Sequence, residues 1–108
     1  MSSHLVTQAD DGKTIEVRQG DLVTLRLPEN PTTGYRWSLD EHDALALEPA
    51  EKPKFEPASP AIGAGGIRTF TFLAKTVGES SLALSLRRSW ERPTSGQKTF
   101  SVKIRIRE

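Results

Sequence analysis

TFSVKIRIR, residues 99–107, carries an apolar side chain at every second position: Phe100, Val102, Ile104 and Ile106. Between them stand Ser101, Lys103 and Arg105. Successive side chains of a strand point to opposite faces of a sheet, so this spacing predicts a β-strand with one buried face and one wet face. A helix would need apolar residues three and four apart. The same period recurs upstream. Ile15 and Val17 alternate, as do Val23, Leu25 and Leu27. Tyr35, Trp37 and Leu39 form another set, then Phe70 and Phe72, then Leu82, Leu84 and Leu86.

Turn-forming clusters separate these runs: DDG at 10–12, QGD at 19–21, ENPTTG at 29–34, TVGES at 76–80 and RPTSG at 92–96. Short alternating strands divided by such turns predict an all-β fold, an immunoglobulin-like antiparallel β-sandwich. Seven main strands are expected, over residues 13–18, 21–28, 35–40, 52–56, 67–75, 80–89 and 97–107. Residues 40–48 read as a short helix or an irregular connection. The prolines of LALEPAEKPKFEP confine any strand there to a short or edge position.

The chain has 108 residues, which predicts one domain, 1–108, with a core of its own. Residues 1–4 are expected to be disordered. Fifteen Lys plus Arg stand against 14 Asp plus Glu, a net charge of +1. That balance removes the electrostatic case for nucleic acid or an anionic membrane as partner. With no cysteine there is no disulfide, no thiolate metal site and no Cys nucleophile. No apolar run approaches the roughly 20 residues of a membrane span. The opening MSSHLVTQADDGKTIEV lacks the apolar core of a signal peptide. It suits the cytoplasm as written, or the periplasm or exterior if a leader has been removed.

Sequential antiparallel strands reverse direction, so alternate connections share an end. The connections after the second, fourth and sixth expected strands are ENPTTG, PASPAIGAGG and SWERPTSGQ. They are the compositionally unusual ones, and three loops at one end of such a sandwich make a binding arrangement. An enzyme is the weakest reading. Only His4 and His42 are present, no G-x-S-x-G elbow occurs, and no His, Asp and Glu spacing suggests a metal. Neither a cofactor nor a metal is expected. GAGG at 63–66 precedes a strand rather than a helix, which argues against a phosphate loop. Its glycines suit a turn, or close approach of backbone to a partner. Arg88 would fall inward if the leucine strand ran straight on, so the strand is expected to leave the sandwich there. Trp90 then lies in the loop beside Arg88, a pairing that suits a protein contact.

Together the segments resemble the chagasin-like inhibitors of papain-family cysteine proteases, marked by N-P-T-T-G-Y-x-W, G-x-G-G and R-P-W. The first is intact as Asn30, Pro31, Thr32, Thr33, Gly34, Tyr35, Arg36 and Trp37. Gly63, Ala64, Gly65 and Gly66 match the second. Arg88, Ser89 and Trp90 match the third, with Ser89 where the family has Pro. The resemblance implies a monomeric reversible competitive inhibitor whose three loops plug the cleft of a cathepsin L-like or similar protease. It places Thr32 and Thr33 beside the catalytic cysteine, the backbone of 63–66 along the enzyme, and Trp90 as an anchor. Trp37 is expected in the core, Tyr35 at the loop base and Arg36 in solvent. The alternative is an Ig-like adhesion or ligand-binding module that uses the same loops.

Overall fold

A computed structural model describes residues 2–30, 35–43, 45–57, 65–87 and 98–108. Nine strands are present among them: β1 (Ser3–Thr7), β2 (Thr14–Arg18), β3 (Leu22–Glu29), β4 (Arg36–Glu41), β5 (Leu47–Pro49), β6 (Lys54–Pro57), β7 (Gly66–Ala74), β8 (Gly78–Arg87) and β9 (Lys98–Arg107). One sheet runs β1-β3-β7-β5, with β6 also on β7, and the other runs β2-β9-β8-β4. The result is the immunoglobulin-like sandwich expected from the alternation. Two edge pairings, β1 on β3 and β2 on β9, are parallel; the rest are antiparallel.

Most of the core is made by the residues whose period predicted it. On β9, Phe100, Val102, Ile104 and Ile106 are buried while their neighbours are exposed. They meet Leu82 and Leu84 of β8, Val23, Leu25 and Leu27 of β3, and Phe70 and Phe72 of β7. Each such large side chain contributes roughly 1.5–3 kcal/mol on leaving water. Trp37 lies in this core, as expected, and Arg36 is exposed.

Several expectations are corrected. Ser3 and His4 belong to β1, where disorder was expected. Val6 is fully buried, and Asp21 ties the start of the strand down. Its carboxylate accepts from Ser2 N at 3.0 Å and meets His4 Nε2 at 2.7 Å. Of the two readings of residues 40–48, the irregular connection holds among the described positions between β4 and β5, and Leu47, fully buried, opens β5. The expected strand at 52–56 lies at Lys54–Pro57, after the interruption at Pro53. β5 and β6 run in the same direction along one edge of β7, and Ala50 N donates to Thr71 O between them at 2.8 Å. They act as one strand broken by prolines, so the alternation of ends is kept.

The plainer end of the sandwich is closed by its own hydrogen bonds. Gly20 adopts φ +94°, a turn conformation that side chains resist, and its N–H donates to Ala74 O at 2.8 Å. Lys75 N donates to Ala46 O at 2.8 Å, and Gln19 Nε2 to Lys75 O at 2.7 Å.

Candidate functional site

At the opposite end the roots of the three unusual loops converge. β3, β6 and β8 all run toward it; β4, β7 and β9 all leave it. In one sheet Gly66 pairs with Glu29 on one side and Pro57 on the other. In the other sheet Arg36 pairs with Arg87, and Leu86 with Lys98. An open groove of about 440 Å³ bridges the two sheets here. Asn30 and Tyr35 line it from the first loop, Gly65 and Gly66 from the second, Leu86 and Lys98 from the strands flanking the third.

Of the expected binding residues, Asn30, Tyr35, Gly65 and Gly66 are described, and all four stand at this groove. Pro31, Thr32, Thr33, Gly34, Gly63, Ala64, Arg88, Ser89 and Trp90 lie outside the described residues. The two described glycines differ. Gly66 is buried within β7, and a Cβ there would strike Glu56 O, the Phe55 ring and the backbone of Pro57. Its lack of a side chain is required by the close seating of β6. A Cβ on Gly65 would sit 3.5 Å from Glu29 O, an ordinary contact.

The first loop leaves β3 and returns on β4, so it crosses from one sheet to the other. That crossing is fixed by two hydrogen bonds. Trp37 Nε1 donates to Pro28 O at 2.8 Å. Trp37 N donates to Glu29 Oε1, also at 2.8 Å. The other carboxylate oxygen, Oε2, accepts from Arg68 Nη2 at 2.6 Å and Nε at 3.1 Å. The Arg68 guanidinium lies 5.2 Å from the centre of the Phe55 ring, within cation–π range.

Sequence reasoning missed Glu29 and Arg68. The signal was in the phase: Glu29 continues the inward series of Leu25 and Leu27, and Arg68 begins that of Phe70 and Phe72. Two opposite charges at inward positions on neighbouring strands mark a buried ion pair. The rule that an inward Arg is improbable in a core holds only for an Arg without such a partner.

This architecture defines a class: an immunoglobulin-like sandwich whose working end is a cluster of loops over a groove. A model of the chagasin family of peptidase inhibitors matches residues 16–104, and the chain belongs to that family. As a member of it, the chain is a peptidase inhibitor and not an enzyme. Chagasin from Trypanosoma cruzi is 35% identical over 107 residues, covering 95% of this chain and 97% of chagasin. Amoebiasin-2 from Entamoeba histolytica is 28% identical over 106 residues, 96% of this chain and 85% of the relative. The crystal structure of a cysteine protease inhibitor from Entamoeba histolytica shares the fold, with a TM-score of 0.84 at 24% identity. It covers 99% of this chain and 97% of that one.

Proposed function

We infer that this chain inhibits papain-family cysteine proteases by occluding the active-site cleft with segments 30–35, 63–66 and 88–90, reversibly and in competition with substrate. The observation that carries this is the convergence of all three loop roots at one end, around a groove that spans both sheets. Cleavage needs a scissile carbonyl at near-attack distance with its oxyanion over donors. A turn restricted by Pro31 and closed through Asn30 does not present an extended peptide in that geometry. Thr32 and Thr33 lie beside the catalytic cysteine in this reading. The backbone at 63–65 runs along the enzyme, and Trp90 packs against the cleft wall beyond, with Arg88 at its side. A contact of this kind buries about 1,600 Å² in total.

The test is titration of papain and of a cathepsin L-type protease with the full chain. Competitive inhibition that reverses on dilution is expected, with segment 30–34 intact by mass spectrometry after long incubation. Absence of inhibition at micromolar chain would sink the reading and leave an adhesion or ligand-binding module in its place.

A further inference from the structure

At the loop end of the sandwich interior, two charged side chains occupy positions that the alternation reserves for apolar ones. Glu29 follows Val23, Leu25 and Leu27 on the inner face of β3, and Arg68 precedes Phe70 and Phe72 on that of β7. The side chains are 0% and 16% exposed, respectively. Charges so placed are costly unless paired and hydrogen-bonded, and an apolar pair of similar volume is often no less stabilising. Stability alone therefore gives no reason for this pair. What it supplies is direction. Apolar contact is non-directional, whereas a carboxylate and a guanidinium fix one another's geometry through forked bonds.

The partners of this carboxylate sit on strands that border two of the loops. β3 runs from Glu29 into Asn30, β4 begins one residue after Tyr35, and β7 begins at the end of the glycine segment. We propose that Glu29 is a positioning residue for inhibition. With Arg68, its carboxylate clamps the two ends of segment 30–35 together and fixes them against the exit of the glycine loop. Trp37 N–H is held on Oε1 and Arg68 on Oε2, so one side chain joins both sheets under the loops. Phe55 backs the guanidinium from β6. A loop held in its docking shape loses less freedom on binding. A loop that adopts that shape only a tenth of the time binds about tenfold more weakly.

The proposal rests on the inhibitor reading, and its test separates the two. Glu29→Gln keeps the size and an acceptor for Trp37 N–H but turns amide hydrogens toward Arg68. Val17→Ala, in the buried face of β2 away from the loops, serves as a control for general destabilisation. Inhibition constants against papain and amide exchange across 30–37 are measured for each. Glu29→Gln is expected to raise the inhibition constant about tenfold and to speed exchange in that segment. Val17→Ala lowers the melting temperature with both readouts near the parent's. The double variant Glu29→Gln/Arg68→Met removes the conflict of donors, regains melting temperature and stays a weak inhibitor. The proposal is overturned if Glu29→Gln inhibits as well as the parent, if Val17→Ala weakens inhibition equally, or if the double variant recovers inhibition along with stability. Should the parent not inhibit papain, the inhibitor reading falls, and the exchange rates still decide whether the carboxylate holds the loop.

Discussion

Gly65 and Gly66 are adjacent in one motif and stand in different surroundings. At Gly66 a methyl group would be driven into the Phe55 ring, 2.7 Å away, and into Pro57 Cα at 2.8 Å. These are strand neighbours, so relief requires β6 to move off β7. Gly66→Ala is expected to cost about 1–3 kcal/mol, as overpacking does, measured by urea unfolding. Gly65→Ala meets only Glu29 O at van der Waals distance and is expected to unfold with the parent. Equal losses at the two positions would show that the seating of β6 is not what Gly66 serves. From the motif alone both glycines read as backbone offered to a protease. Only the register of β7 against β6 distinguishes the one that serves the sandwich itself.

β1 shows how an element can depend on one carboxylate. Asp21 accepts from Arg18 N, from His4 Nε2 and from Ser2 N, which ties β1 to the turn between β2 and β3. Those bonds, that from Arg18 first and those from His4 and Ser2 after it, pull the Asp21 carboxyl from its usual 3.8 down to about 2. A carboxyl whose pKa is lower when folded stabilises the fold fully above its unfolded value. That contribution is lost as pH falls through the folded one. The melting temperature should therefore drop between about pH 4 and pH 2, read by circular dichroism. Asp21→Asn should melt lower at neutral pH and show a shallower drop across that window. An unchanged slope would mean that Asp21 contributes nothing to acid sensitivity. The strand itself was hidden in the sequence because Val6 is its lone buried residue among the five, too little for a period to be seen.

At the scale of the molecule, the apolar core and the proposed contact surface occupy different parts. Among the described residues the buried apolar side chains lie within strands or, at Ala46, in the turn before β5, while of the expected contact residues Asn30, Tyr35 and Gly65 stand outside the strands and Gly66 opens β7. Trp90→Ala is therefore expected to leave the melting temperature near the parent's and to raise the inhibition constant about thirtyfold, the equivalent of ~2 kcal/mol at a hot spot. A large fall in melting temperature would instead assign Trp90 to the core. The ion pairs on the outer face of β9, such as Arg105 with Glu16 at 3.4 Å and Glu79 at 3.3 Å, are half-exposed. Pairs of this kind contribute little beside the core.

The sequence by itself determined the sandwich, most of its core and the order of its loops. Period-two alternation is a local property, and burial of one face follows from it wherever the chain folds. It also carried the family motif, because residues 30–37 are contiguous. Tertiary structure alone decided three things. β5 and β6 share one edge of β7, which keeps the three loops at a common end despite the prolines between them. β1 lies parallel to β3, held by bonds to a residue 17 or more positions away. Glu29 reaches Arg68 across 39 residues of sequence. Each depends on pairing between distant segments, and whether a charge in an inward position is an error or a clamp is known only when its partner is in place.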